Sequence, residues 1–136
     1  MKTIVYIAYI AATAMVANAA PPVVAPVSST DKSVIGQPID VPQHPTVVTT
    51  IVTFQPGDRT VVHEHPYPHY GYMLEGTLTI VNTETGKSFD VKPGEFLVEM
   101  TNTYHYGQNR GSVPARILIV DQLPAGVTSN SVAKGP

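Results

Sequence analysis

The sequence His63-Glu64-His65-Pro66-Tyr67-Pro68-His69 places three of the chain's five histidines within seven consecutive residues. A fourth, His105, lies in a second segment further along the chain. Alternate residues of a β-strand project to the same face, so the imidazoles of His63 and His65 can reach one ion. Neutral imidazole is a good ligand for Zn, Cu, Fe and Ni, and for Mn when oxygen ligands complete the site. The pattern therefore predicts a divalent transition metal as cofactor, with its identity among these five open.

Glycines and an asparagine stand at fixed distances from these histidines. Gly57 precedes His63 by six positions, and Gly76 follows His69 by seven. The second segment begins at Gly94 and continues, at spacings of six, two, three and four residues, with Met100, Asn102, His105 and Asn109. In this order and with these gaps, the two segments form a pair of motifs.

These two motifs resemble those of the cupin superfamily, and every spacing of that family is kept. Three identities differ: His69 stands where the family has glutamate, Met100 where it has proline, and Asn102 where it has glycine. The resemblance covers about residues 46–122. It implies an all-β fold, the double-stranded β-helix or jelly-roll barrel, and says little about the reaction because one fold hosts many chemistries.

The residues from Thr46 onward independently favour an all-β fold. Short runs rich in Val, Ile, Thr and aromatic residues alternate with turn residues such as Pro93-Gly94. No stretch after the N-terminal segment shows sustained helical periodicity, so a sandwich or small barrel is expected. Within it, residues 71–75 and 77–81 flank Gly76 and predict a hairpin.

The chain divides into four parts. Residues 1–19 resemble a secretory signal, with Lys2, a 13-residue apolar run too short to cross a bilayer, and a small-residue cleavage site at Ala17-Asn18-Ala19. Residues 20–45 form a Pro-, Val- and Ser-rich leader, 46–123 the barrel, and 124–136 a C-terminal tail. The protein is therefore expected to be exported, either periplasmic or secreted, without a membrane anchor in the mature form.

Composition limits the partners. The net charge is −2 and no basic cluster occurs, so neither nucleic acid nor an anionic membrane is expected as a partner. The chain has no cysteine, so its stability does not depend on disulfides. A small-molecule ligand or substrate is the expected partner, and the family resemblance adds a possible homodimer.

The resemblance implies His63, His65 and His105 as metal ligands. His69 occupies the family's carboxylate position, so as a fourth ligand it would leave the coordinating set uncharged and favour anionic or enolisable substrates. The alternatives are that His69 turns outward, or that Tyr70, which fits a one-residue longer gap, takes its place. The histidines could also line a metal-free interior.

Tyr70, Tyr72 and Arg59 are the candidates for catalytic roles. A phenol near a metal ion can act as acid or base, although tyrosine is also common in strands for packing reasons alone. Arg59 has the strand parity of His63 and could hold a substrate carboxylate, although an arginine at a strand start is commonly exposed. Asn109 is expected to hold a turn through hydrogen bonds to the backbone.

Two classes of function fit these features. One is a metal-dependent enzyme, similar to dioxygenase-, isomerase- or lyase-like cupins, acting on a small oxygenated or carboxylated molecule. The other is a non-catalytic cupin that binds metal or a small ligand.

Overall fold

A computed structural model describes residues 20–136 of the chain. The predicted signal segment, residues 1–19, lies outside the described residues. Residues 20–136 contain no helix long and apolar enough to cross a membrane. They form nine β-strands, which are β1 (Thr46–Phe54), β2 (His63–Glu64), β3 (His69–Glu75), β4 (Leu78–Asn82), β5 (Ser88–Val91), β6 (Phe96–Val98), β7 (His105–Gln108), β8 (Ala115–Leu123) and β9 (Val132–Ala133).

The strands form two antiparallel sheets. One has four strands in the order β1-β8-β3-β6, and the other has five in the order β5-β4-β7-β2-β9. Strand β8 alternates buried and half-buried residues along most of its length, as expected for a strand with one face on the core. Inward-facing side chains of both sheets make one apolar core, which includes Phe54, Met73, Leu78, Ile80, Leu97, Met100, Ile117 and Ile119. The all-β jelly-roll prediction is confirmed.

The predicted hairpin around Gly76 is wrong. Strand β3 pairs with β6 and β8, whereas β4 pairs with β5 and β7 in the other sheet. Both strands contribute apolar side chains to the same core from opposite sides, so the chain crosses between the sheets here. Gly76 makes the crossing with a φ of +67°. A Cβ at this position would meet the backbone of Pro114 and would lie 2.8 Å from the Cα of Ala115.

Segments outside the barrel prediction also contribute to the fold. The tail, residues 124–136, supplies β9, which pairs with β2 beside the predicted ligands. In the leader, the Gln37 amide donates to the Thr101 carbonyl at 2.9 Å and accepts from the Thr101 N–H at 3.0 Å. Thr101 in turn forms a parallel bridge with His65. Both terminal segments therefore reach the part of the barrel that holds the histidines.

Candidate metal centre

The four histidines of the two motifs come together between the sheets. His63 on β2 is the cross-strand partner of His105 on β7, and His65 follows directly after β2. His69 begins β3 in the opposite sheet and pairs there with Asp121. We refer to His63, His65, His69 and His105 as the histidine cluster. The first, second and fourth of these side chains are buried, and the third is half-buried.

The imidazole rings of the cluster are in close contact. The ring centroids of His63 and His105 are 4.6 Å apart, and those of His63 and His65 are 4.8 Å apart. His65 and His69 stack at 3.8 Å with an interplanar angle of 11°. Ligand atoms of His63, His65 and His105 lie within 4.8 Å of one another, which makes these three residues a group that could hold one metal ion.

Every Nδ1 of the cluster is held by an acceptor. For three rings the acceptor is a backbone carbonyl oxygen. His63 donates to that of Val61 at 2.8 Å, His65 to that of Asn130 at 2.7 Å and His105 to that of Thr103 at 2.8 Å. For His69 it is the Asp121 carboxylate at 2.7 Å. A carbonyl or carboxylate oxygen can only accept, so each Nδ1 carries a proton. In the neutral ring the Nε2 lone pair is then left available for a metal.

The Nε2 atoms provide the test of whether a metal fits. Among the described residues, Nε2 of His65 and of His105 are buried and make no hydrogen bond of acceptable geometry, although the Glu99 carboxylate lies nearby. A buried polar atom left unpaired costs about 1–3 kcal/mol. A cation bound by these nitrogens would satisfy both atoms at once, so the donor set fits a divalent transition metal.

Glu99 joins the cluster and was not anticipated from the sequence. Its carboxylate lies 2.9 Å from Nε2 of His105, 3.6 Å from that of His65 and 4.0 Å from that of His69. With His65 and His69 it forms a second group of potential metal ligands. Glu99 follows β6 and is 5% exposed. The signal that could have revealed it is a lone charged residue inside the apolar run Phe96-Leu97-Val98-Glu99-Met100.

Glu99 and the histidines shift one another's ionisation. Burial alone raises the pKa of Glu99, but the contacts with His105 and His65 outweigh it and hold the pKa well below its usual range. Burial lowers the pKa of His105, but the contact with Glu99 raises it by more. The pKa of His105 is therefore above its usual value. For His63, burial dominates and lowers the pKa. A buried carboxylate of this kind favours a cation beside it.

Asp121 and Asn130 hold the cluster from outside. Burial raises the pKa of Asp121, but the hydrogen bond and charge of His69 lower it by more. The pKa of Asp121 is therefore below its usual value. The Asn130 amide donates to the Asp121 carboxylate at 2.6 Å and to the Tyr67 carbonyl at 3.0 Å. The backbone carbonyl of Asn130 also accepts a hydrogen bond from His65. This one tail residue therefore positions His65 directly and His69 through Asp121.

The three residues predicted as catalytic lie away from the cluster. On β3, Tyr70 and Tyr72 alternate with inward-facing Gly71 and Met73, and neither tyrosine lines the cavity beside the cluster. The Tyr70 hydroxyl donates to Gln122 at 2.7 Å. Arg59 is exposed, with its guanidinium 3.6 Å from the centre of the Tyr106 ring. The structure thus brings none of the three to the site.

Two motif positions have clear structural roles. Asn102, which replaces the family's glycine, has a φ of 47°, a left-handed conformation that asparagine tolerates better than most residues. Its N–H donates to the His65 carbonyl at 2.9 Å. Asn109 is fully buried, and its amide donates to the carbonyls of Phe54 and Val113. The prediction that Asn109 holds a turn is confirmed.

A cavity of about 220 Å³ adjoins the cluster. Its walls are mostly apolar, and His63, His65, His69 and Glu99 are among the residues that line it. Pockets for drug-sized ligands have volumes of roughly 300–1,000 Å³. The cavity therefore fits a smaller molecule, which would lie beside the histidine cluster. We call it the cluster cavity. Its other lining residues are Thr50, Val52, Phe54, Thr60, Leu78, Ile80, Gly107, Ile117, Ile119, Asp121 and Ser131.

A fold of two antiparallel sheets around a buried histidine cluster defines the class of protein, and sequence comparison confirms it. The profile of the cupin domain family matches residues 50–121. The chain belongs to the cupin family. No curated protein sequence matches it significantly.

Three solved structures illustrate the likeness. Oxalate decarboxylase from Lactobacillus farciminis, in a formate complex, is 26% identical with a TM-score of 0.55 over 65% of this chain and 26% of that one. The polyketide cyclase RemF from Streptomyces resistomycificus is 23% identical with a TM-score of 0.52, covering 62% and 63%. A sugar phosphate isomerase of the cupin superfamily from Silicibacter pomeroyi is 22% identical with a TM-score of 0.50, covering 57% and 51%. The chain thus spans less than two thirds of each.

Proposed function

We propose that this protein is an exported cupin that holds one divalent transition metal and acts on a small oxygenated molecule as a metal-dependent enzyme. The observation that carries the proposal is the orientation of the four imidazoles. Each donates its Nδ1 proton to a fixed acceptor, which leaves the Nε2 lone pairs for one ion. A cluster built only for packing would not need all four rings in the same tautomer.

His63, His65 and His105 would hold the ion, and Glu99 and His69 would complete the ligand set. Glu99 supplies the negative charge that the family's glutamate provides from the position occupied here by His69. Bound there, a divalent ion would polarise a substrate oxygen as a Lewis acid. The chain's own contribution is a site with pre-oriented ligands and apolar walls that keep water from the rest of the cavity.

The neighbours support an enzyme without selecting its reaction. The name of the L. farciminis protein indicates a decarboxylase acting on oxalate, a small dicarboxylate, and that of the S. pomeroyi protein an isomerase. Dioxygenase-, isomerase- and lyase-like reactions on a small oxygenated or carboxylated molecule all remain within the proposal.

One observation favours a second candidate, a cupin that binds metal without turnover. Five side chains surround the place of the ion, His63, His65, His69, His105 and Glu99. If all of them coordinated, few positions would remain for a substrate, and closed coordination is typical of structural metal sites. A substrate-dependent change in the spectrum of a Co²⁺- or Fe²⁺-loaded sample would favour the enzyme, whereas an unchanged spectrum with every candidate would favour the binder.

Elemental analysis tests the metal site. The mature protein, purified without a histidine tag, should contain about one equivalent of iron, manganese, nickel, zinc or copper, or take it up on reconstitution. His63→Ala and His105→Ala should remove stoichiometric metal, and His69→Ala should weaken its retention. The matched control is His44→Asn, because His44 is exposed, outside the cluster, and has a φ of 51° that asparagine accommodates. Unchanged metal content in His63→Ala would contradict the site.

Export and dimerisation are further parts of the proposal. Export is supported by the signal-like sequence of residues 1–19 and is tested by the N-terminus of the mature protein, expected after Ala19 or Ala20. A homodimer is supported by β1, an edge strand of nine residues that exposes Val47 and Ile51. Light scattering that gives the mass of a monomer at micromolar concentration would exclude the dimer.

A further inference from the structure

The cluster cavity is lined by two acidic side chains and by no lysine or arginine of the described residues. Glu99 and Asp121 are the charged side chains in its wall, and among residues 20–136 no lysine or arginine lines it. The nearest candidate from the sequence, Arg59, is exposed and stacks on Tyr106 instead. Carboxylates of ordinary pKa are ionised at neutral pH. The wall of the cavity therefore contains two carboxylates and, among the described residues, no lysine or arginine to balance them.

A divalent ion would neutralise these two charges and leave none over. The carboxylate of Glu99, in the coordinating set, offsets one positive charge of the ion. The carboxylate of Asp121, which is hydrogen-bonded to His69, offsets the other. A dianionic ligand entering the cavity would thus add two negative charges to a neutral site. Burying a charge without a partner is costly, and the apolar walls offer no such partner.

The rest of the cavity is suited to hydrocarbon. Six apolar side chains line it, from both sheets, and they are Val52, Phe54, Leu78, Ile80, Ile117 and Ile119. Burial of apolar ligand surface against such walls favours binding in proportion to the area removed from water. A ligand with an apolar body and an oxygen-bearing end would place the oxygens at the histidine cluster and its body against these walls.

We propose that the ligand of this site is a small uncharged or singly ionised molecule with carbonyl or hydroxyl oxygens at one end and an apolar body, and not a dicarboxylate or a phosphate ester. This inference rests on the proposed function for the place of the metal. The apolar walls, and a lining without lysine or arginine among residues 20–136, belong to the protein alone, so the preference holds in the metal-free state as well.

Acetylacetone and malonate form a matched pair of probes. Both have two oxygen-bearing carbons separated by one CH₂, but methyl groups in the diketone replace the charged oxygens of the dianion. Calorimetric titration of the Zn²⁺-loaded protein should give a Kd for acetylacetone at least tenfold lower than for malonate. In the metal-free protein malonate should not bind. Metal content after gel filtration checks that neither probe has removed the ion.

One lysine substitution should reverse the preference. Thr50 lies on the exposed edge strand β1 with its side chain in the cavity wall, so Thr50→Lys adds a cation to the cavity without burying it in the core. Malonate should then bind about tenfold more tightly than to the unaltered protein. The control is Thr49→Lys, the same change at the adjacent exposed position, which does not line the cavity and should leave the Kd ratio unchanged.

The two proposals fail in different ways. Malonate binding as tightly as acetylacetone to the unaltered protein, or no binding of acetylacetone at all, would overturn the ligand class while one equivalent of metal still supported the metal site. A protein that takes up no metal but whose cavity retains acetylacetone and rejects malonate would overturn the metal site and leave the ligand class standing.

Discussion

Glu99 lies within 4.0 Å of Nε2 of three histidines, and its carboxylate gives the cluster a negative charge. A ligand set of imidazoles alone would leave a divalent ion with its full charge, which would attract anions. The carboxylate of Glu99 offsets one of the ion's two positive charges and so halves this attraction, and the carboxylate of Asp121 reduces it further. The charge state of the site, and with it the class of ligand, therefore depends on one residue outside the family's motif positions.

Glu99→Gln should weaken metal binding at least about tenfold, because the amide keeps the shape of the side chain but removes the charge beside the ion. Competition with a chromophoric chelator measures the Kd. Glu84→Gln is the control, since Glu84 is exposed on the turn after β4. Equal Kd values for the two variants would show that Glu99 does not act on the ion.

Individual residues differ in how well the sequence predicts them. His63, His65 and His105 follow from spacing, because strand alternation and motif gaps determine which side chains share a face. Glu99 does not, since its place in an apolar run marks it as unusual but does not indicate that its side chain will face His65, His69 and His105. The same limit applies to Tyr70, Tyr72 and Arg59, whose chemistry suggested a role but whose side chains lie outside the cavity.

At the scale of elements, the connection from β3 to β4 determines how the two sheets enclose the site. The glycine between them was expected to turn a hairpin, yet strand pairing is a long-range property that residues 71–81 alone do not reveal. All five residues of β4 are buried, and the strand lies between β5 and β7 in the second sheet. Gly76 packs against the segment that leads into β8.

Gly76→Ala should destabilise the protein by about 3 kcal/mol or more. The left-handed conformation alone costs an alanine about 1–2 kcal/mol, and the new Cβ would also clash with Pro114 and Ala115. Gly86→Ala is matched, with a φ of +71° and open space around the new Cβ, and should lose only the conformational part. Urea unfolding measures both; equal losses would show that close packing at Gly76 is unimportant.

The C-terminal segment, which the sequence suggested to be a tail outside the barrel, is the second element that contributes to the site. Residues 124–136 consist mostly of Pro, Gly, Ala and Ser and show little strand pattern. Asn130 is nevertheless 5% exposed and hydrogen-bonded to Asp121, Tyr67 and His65. Its contribution depends on pairing of β9 with β2, a contact between positions almost seventy residues apart that local pattern does not reveal.

Asn130→Ala should raise the Kd for metal about 10- to 100-fold, the usual effect of losing groups that orient metal ligands. The His65 bond to the backbone carbonyl can remain, but Asp121 loses the amide that fixes it against His69. Ser129→Ala, at an exposed neighbouring position, is the control. A chelator titration in which both variants match the unaltered protein would remove Asn130 from the metal site.

At the scale of the whole molecule, the cluster joins the two sheets. His69 comes from the four-stranded sheet, and His63 and His105 come from the five-stranded one. An ion held by all three would link the layers across the core, and binding that occurs only in the folded state stabilises that state by mass action. Metal uptake and global stability should consequently change together.

Free metal at 100 times its Kd should stabilise the protein by about 2.7 kcal/mol and raise Tm by roughly 10 °C. Differential scanning calorimetry with and without Zn²⁺ measures the shift. His63→Ala should show none, whereas His44→Asn should show the full value. A full shift in His63→Ala would mean that the stabilising ion binds elsewhere.

The bracing of the site by both termini limits how the domain can be transplanted. A chain trimmed to the family match, residues 50–121, would keep all four cluster histidines and Glu99. It would lose Gln37, which pairs with Thr101 beside His65, and Asn130, which supplies the acceptor for the His65 ring. Designs that graft this site onto another barrel therefore need to carry the flanking segments along with the motifs, because the ligands by themselves would arrive without their supports.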